Sequence, residues 1–350
     1  MDMDGKFLIT SSPHIRSNDT TQSIMFSVLM ALTPAVVFSG FLFGFRAIMI
    51  TMISVGASVL AEALFNMCCK KKQTISDLSA AVSGLLLAVT LPVTVPLWIP
   101  VVGAFFAMIV VKGVFGGLGN NFMNPALAAR AFLFIAWPVH MTSWLKPFEY
   151  DGVPIFLNVN ADQIITSATP LQSLRNLEYT FTNLSDLFWG NVAGCIGETS
   201  AILLLIGGVY LLVRKVINWH IPVFYIATVG LLAYLFPTSG TPIQYALAQM
   251  LGGGLLLGAI YMATDYSSAP TTTRGRVLYA IGCGLLTFVF RRFSNYPEGV
   301  SFAILLMNSL AWAIDGATKP RRFGKGGAFY GRREEADTEE NKAEPTATTD

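Results

Sequence analysis

Charge is scarce in this sequence. Asp, Glu, Lys and Arg make up 13% of its 350 residues, and hydrophobic residues make up 53%. An ordinary soluble domain carries about 25% charged residues, so the deficit argues against a fold surrounded by water. The net charge of +2 says little about partners, and no nucleic-acid partner is expected. Metal-binding spacing is missing as well. The cysteines Cys68, Cys69, Cys195 and Cys283 form no Cys-x-x-Cys pair. Zinc, c-type haem attachment and an autonomous iron–sulfur cluster therefore lack support, and no metal site is expected. A cluster shared with another subunit stays open. A cleavable signal pattern is also lacking. The first 20 residues are polar, and the first apolar run is long and followed by more.

What the chain does have is a series of apolar blocks. At about 20 residues per span they supply roughly ten helices, which predicts an all-α polytopic membrane protein. Thr21–Phe45 reads as the first span, with Pro34 inside it, and Ala47–Cys69 as the second. Lys70-Lys71-Lys72 follows and marks the cytoplasmic side. Two spans back, the N-terminus then lies in the cytoplasm too. Leu78–Leu91 is too short for a full span and reads as a half-helix broken at Pro92. Pro96–Val111 comes next, and Pro125, near the first turn where proline is favourable, opens the fifth span. Further spans are expected over Gly190–Val213, Ile221–Phe236, Ile243–Thr264, Val277–Phe290 and Val300–Thr318. Gly252-Gly253-Gly254 is read as a close helix contact. Arg291-Arg292 then falls outside, against the charge rule.

The expected organisation is a polar cytoplasmic arm over 1–20 and a first membrane half over 21–137. An extracytoplasmic loop over 138–188 follows, flanked by Trp144, Phe148, Tyr150 and Trp189 as interfacial aromatics. A second membrane half covers 189–325, and 326–350 is a polar cytoplasmic tail expected to be disordered. Phe122-Met123-Asn124-Pro125-Ala126-Leu127-Ala128 is echoed by Leu306-Met307-Asn308-Ser309-Leu310-Ala311. The echo reads either as a five-plus-five inverted repeat, with a site between the halves, or as a chance match between apolar segments.

Ionisable residues within or beside spans are functional candidates by default. They are Glu62, Arg130, Glu198, Asp265 and Asp315. Each also reads as a structural ion pair or an interfacial cap. Asp265 is the first choice for an ion pathway, with Glu62 and Glu198 behind it. Gly116, Gly117 and Gly119, with Asn120, Asn121 and Asn124, form either a tight turn or a cradle for a flavin ring or ribityl chain.

The most distinctive stretch is Thr166-Ser167-Ala168-Thr169-Pro170-Leu171, a polar island in the large loop. Pro170 disfavours helix at Thr169, so its hydroxyl is presented on extended or turn backbone. Composition alone reads this as loop material. The tetrapeptide Thr166–Thr169 resembles the [Ser/Thr]-[Gly/Ser]-Ala-Thr signature of the Rnf and sodium-pumping NADH:quinone oxidoreductase families, with Ser167 where glycine is preferred. Further blocks share the resemblance: Ser12-Pro13-His14-Ile15-Arg16, the run from Gly116 to Phe132, Met262–Asp265 with Ser268–Thr272, and Tyr296–Ala303. Together they span about residue 7 to about residue 325. The chain thus resembles the family of D subunits of the Rnf electron-transport complex, related to the B subunits of the quinone-reducing enzyme.

The resemblance implies FMN held through a phosphoester on Thr169, with Thr166, Ser167 and Ala168 as recognition residues. It implies a separate flavin transferase for maturation, since an unmodified threonine hydroxyl is a poor nucleophile. Asn120, Asn124 and Arg130 become cofactor-contact candidates, and riboflavin a candidate second flavin. The implied setting is a bacterial cell membrane, with both termini cytoplasmic and lipid around the spans. The implied partners are other membrane, flavin and iron–sulfur subunits linking ferredoxin to NAD with Na⁺ or H⁺ transport. The implied fold is akin to urea and ammonium channels. The competing class is a secondary transporter or channel without a redox cofactor, which the apolar spans and broken helices fit equally well.

Overall fold

The nearly uncharged stretch after residue 20 forms two long helices, α1 (Thr21–Phe43) and α2 (Phe45–Cys68). Thr20 starts α1 by accepting a hydrogen bond from the Ser23 amide on its side chain. Gly44 separates the two helices with φ of 77°, a conformation that a side chain would disfavour. The structure, a computed structural model, describes residues 19–148, 171, 184–198, 200–238, 240–294 and 298–319. The polar arm with His14 and Arg16, Tyr150, the tetrapeptide Thr166–Thr169 and the C-terminal tail lie outside the described residues.

The first half continues with α3 (Ser79–Val89), α4 (Trp98–Phe105) running on as a π-helix over Phe106–Gly113, α5 (Pro125–Ala136) and the short α6 (Pro138–Met141). The second half holds α7 (Leu184–Trp189), α8 (Ala201–Val213), α9 (His220–Leu235) and α10 (Pro242–Leu251). Next come α11 (Leu255–Leu257), extended as a π-helix over Gly258–Met262, then α12 (Thr273–Phe293) and α13 (Val300–Thr318). No strand occurs among the described residues. The protein is an all-α polytopic membrane protein. Among the described residues, α1, α2 and α13 are each long and apolar enough to cross a membrane, and α10 with α11 forms a fourth candidate bent by 58°. Helices α3, α4, α5, α8 and α9 are shorter apolar segments.

The helices are built inside out relative to those of a soluble protein. The inward face of α2 is small: Ala47, Thr51, Ser54, Ala57, Ser58 and Ala61 are buried. Small residues let backbones approach where lipid leaves no hydrophobic drive between helices. Ser54 donates to the Gly84 carbonyl of α3 at 2.7 Å. Large apolar side chains such as Phe41, Met52, Ile135, Val213 and Phe293 instead face outward. One hydrophobic core runs through both halves. Helix α1 packs on α8, and α5 on α13, so the halves interlock.

Four expectations are corrected. The span expected over Gly190–Val213 is helical only from Ala201. The residues before it turn inward irregularly and bond to the end of α3: Ile196 N–H donates to Leu91 O, and Gly197 N–H to Val89 O. That contact needs glycine, because a Cβ on Gly197 would lie 2.4 Å from Val89 Cβ. Gly197→Ala is therefore expected to lower stability by about 1–3 kcal/mol, read as a lower melting temperature in detergent. An unchanged melt would show that this junction yields.

The span expected over Ile243–Thr264 is interrupted at Gly252–Gly254. Gly253 and Gly254 have φ of 71° and 64°, so the glycines break the helix and do not simply permit contact. Arg291, expected outside the membrane as a free loop charge, is buried. It donates to Gln249 O, to Gln249 Oε1 at 2.9 Å, to Gly252 O at 2.9 Å and to Gly253 O at 3.0 Å. The open carbonyls of the broken helix take up the guanidinium. Trp144, expected at an interface, is buried against Ala193 and Cys195, whereas Phe148 and Trp189 are exposed.

The interruption after α3 is treated the same way. Arg46 donates to Val93 O at 2.9 Å and Val95 O at 2.8 Å. Each half therefore holds an interrupted helix, a buried arginine on the freed carbonyls, and a π-helical stretch beyond.

Candidate functional site

Two polar regions occupy the seam between the halves. The first is a cavity of about 80 Å³ with apolar walls and a polar end. Lys112, Asn121, Asn124, Asp265 and Ser267 lie along it. The glycine–asparagine run before α5 is a turn, with φ of 108°, 97° and 89° at Gly116, Gly117 and Gly119. The same turn delivers amides to the cavity wall. Asn124 caps α5: its Oδ1 accepts from Ala126 N–H at 3.0 Å, and its Nδ2 donates to Met262 O at 3.2 Å. The cap thereby ties the first half to the π-helix of the second. Asn121 is buried on the cavity wall, whereas Asn120 is exposed.

Glu62 and Lys112 form a buried ion pair at 2.7 Å behind this cavity. Lys112 also donates to Ser79 Oγ at 2.7 Å, and Thr74 donates to Glu62 Oε1 at 2.8 Å. In the sequence Lys112 reads as the polar end of a span. Nothing local shows that it folds back onto a carboxylate fifty positions earlier in the chain. Asp265, in the connection before α12, accepts from the hydroxyls of Ser267 and Ser268 at 3.1 Å each. Burial pushes its carboxyl above the ordinary range, and those hydrogen bonds act against the shift. Asp315 accepts from the amide and hydroxyl of Thr271 at 3.1 Å, so it is a cap that ties the α12 entry to α13.

The second region lies where the two interrupted helices meet. Arg130 of α5 pairs with Glu298, just before α13. Cys195 Sγ is 4.0 Å from Glu298 Oε2, and the Cys195 amide is 3.5 Å from Glu198 Oε2. A small cavity of about 20 Å³ sits among Thr90 at the end of α3, these side chains, and Gly253–Gly254. Ligand-type atoms of Cys195, Glu198 and Glu298 lie within 4.8 Å of one another. Sequence alone singles out Arg130 and Glu198, each by itself. It misses Cys195, and it misses Glu298, whose only signal is the run Tyr296–Ala303.

Leu171, two positions after Thr169, is buried against Leu187, Tyr245 and Ala248. Its Cδ1 is so close to Gly253 that a Cβ there would lie 2.0 Å away. Leu171 is thus seated on the second helix break.

The chain matches the model of the NQR2, RnfD, RnfE family over residues 8–324. It is 46% identical over 319 residues to the D subunit of the Na⁺-translocating ferredoxin:NAD⁺ oxidoreductase complex of Acetobacterium woodii, covering 90% of this chain and 95% of that protein. It is 42% identical to the D subunit of the proton-translocating ferredoxin:NAD⁺ oxidoreductase complex of Clostridium ljungdahlii, over 91% and 96% of the two chains. It is 37% identical to the D subunit of the ion-translocating oxidoreductase complex of Halorhodospira halophila, over 91% and 95%.

Proposed function

The chain belongs to the NQR2, RnfD, RnfE family, and from that premise we propose that it is the D subunit of an ion-translocating ferredoxin:NAD oxidoreductase complex, carrying FMN on Thr169. The observation that carries this reading is the near full-length match to relatives named as that subunit, joined to the Thr166-Ser167-Ala168-Thr169 signature. FMN, when attached, supplies the electron relay. The chain's own residues hold and orient it. Thr169 provides the anchoring hydroxyl, and Leu171, fixed at the Gly253 break, sets where the anchor is tethered.

A second flavin, riboflavin, is proposed on the same resemblance, with Asn121, Asn124 and Asp265, which line one cavity, as its candidate contacts. Amide donors and acceptors at one end, with apolar walls, suit a planar amphipathic ring. The partners in this reading are the other flavin and iron–sulfur subunits, a flavin transferase and membrane lipid. The setting is a bacterial cell membrane with both termini in the cytoplasm. The charge rule is the basis of that orientation: it puts Lys70–Lys72, Arg214, Lys215, Arg274 and Arg276 in the cytoplasm. Arg46 and Arg291, on the other side, are occupied by backbone carbonyls.

In membrane vesicles from a strain lacking this chain, reduced ferredoxin is expected to drive neither NAD reduction nor ion uptake, with both restored by the wild-type gene. Full ferredoxin-driven NAD reduction in the deleted strain would contradict the assignment.

A further inference from the structure

A buried thiol, two half-buried carboxylates and a half-buried guanidinium lie together where interrupted helices from both halves meet. We infer that Glu198 and Glu298 form a binding station for one dehydrated alkali cation, sodium in the first instance, with Arg130 as the competing cation. The inference rests on the reading that this chain serves an ion-translocating complex.

Four observations converge. First, Glu298 Oε1 has no hydrogen-bond partner among the described residues and no meaningful solvent access. Its other oxygen is engaged by Arg130. A buried carboxylate oxygen without a donor is costly, and a bound ion in the adjoining cavity would offset that cost. Second, Glu298 offers one carboxylate oxygen to a group with Glu198 and Cys195 whose ligand atoms lie within 4.8 Å of one another. Oxygens on opposite sides of a hard cation, with bonds of about 2.4 Å, sit about 4.8 Å apart. Third, the cavity is about 20 Å³. One water-sized guest needs about 10–15 Å³, so a single bare ion fits and a hydrated one does not. Fourth, Gly253 and Gly254 of the broken helix border the cavity. Unwound backbone between membrane halves is where coupling ions are coordinated in secondary transporters.

The charged groups around the site define its chemistry. Arg291, on α12, donates to the carbonyls of Gln249, Gly252 and Gly253 and to the Gln249 side chain. It therefore screens the site from behind the backbone. Arg130 is the cation that reaches a carboxylate there. Oxygen donors of two carboxylates favour a hard cation over a thiolate-seeking metal. The Cys195 thiol, beside Glu298 Oε2, makes a poor ligand for it. An ion entering between Glu198 and Glu298 weakens the Arg130–Glu298 bridge, which joins α5 of one half to the start of α13 in the other. Occupancy is thereby coupled to how the halves are held together.

The test is equilibrium binding of radiolabelled sodium to the purified, intact complex, without turnover, after dialysis into sodium-free buffer. Glu198→Gln and Glu298→Gln are each expected to raise the half-saturation concentration by about tenfold or more. Arg130→Gln, which removes the competitor, is expected to lower it, a direction that simple loss of structure would not produce. Covalent flavin measured on the same samples reports assembly independently. Should Glu298→Gln fail to assemble, Glu298→Asp is expected to bind more weakly with flavin retained. Unchanged sodium affinity in both glutamate variants, or a wild-type complex that binds no sodium, overturns the station. Either result leaves the flavin assignment standing.

Discussion

Thr169→Ala is expected to yield a protein that inserts normally and carries no covalent flavin. The phosphoester needs a hydroxyl oxygen, and alanine offers none. Thr166 and Ser167 also carry hydroxyls, but they sit at other distances from Leu171. Leu171 is wedged against Gly253, with Leu187 and Tyr245 around it, and that wedge fixes the tether on its C-terminal side. Three residues of extended chain span about 10 Å, so a transferase that recognises Thr169 in this register meets Thr166 displaced by much of a flavin's length. Thr169→Ser keeps the oxygen and is expected to retain partial labelling. In-gel flavin fluorescence reads all three proteins. A fluorescent Thr169→Ala band would place the attachment elsewhere.

Arg291→Met is expected to cause a large loss of stability. Arg291 is 5% exposed, and its hydrogen bonds go to the end of α10 and the break beyond it. Methionine fills similar volume without donors. The carbonyls of Gly252 and Gly253 and the Gln249 side chain are then left buried. In a membrane interior no water replaces the lost donors. A buried acceptor left unpaired costs about 1–3 kcal/mol, so two or three of them remove on the order of 3–6 kcal/mol or more. In detergent this should lower the melting temperature by about 5–15 °C. Arg291→Lys, a point charge without the planar fork, should fall between the two. Were Arg291 an ordinary loop cation, both variants would melt with the wild type.

Much of the architecture is legible in the sequence because lipid imposes strong constraints. Low charge and long apolar blocks announce α1, α2 and α13 directly. Asn124-Pro125 announces the start of α5, since a side-chain cap and a proline at the first turn act locally. The interruption after α3 is legible from Pro92. The interruption at Gly252–Gly254 is not, because three glycines suit both close packing and a left-handed break, and Arg291 decides between them from about forty positions away. The same limit hides the seam. Glu298 meets Arg130 across 168 positions, and Lys112 meets Glu62 across 50. No period or spacing in the chain encodes those meetings. Trp144 reads as interfacial because tryptophan favours that zone, yet the irregular segment before α8 turns inward and covers it.

The most direct test of the flavin reading is peptide mass spectrometry of the wild-type protein, co-produced with an active flavin transferase. The peptide containing Thr169 is expected to carry the added mass of FMN, localised to that residue by fragmentation. An unmodified Thr169 peptide, with the transferase shown to modify another substrate in the same cells, would contradict it and move the weight to a transporter without a redox cofactor.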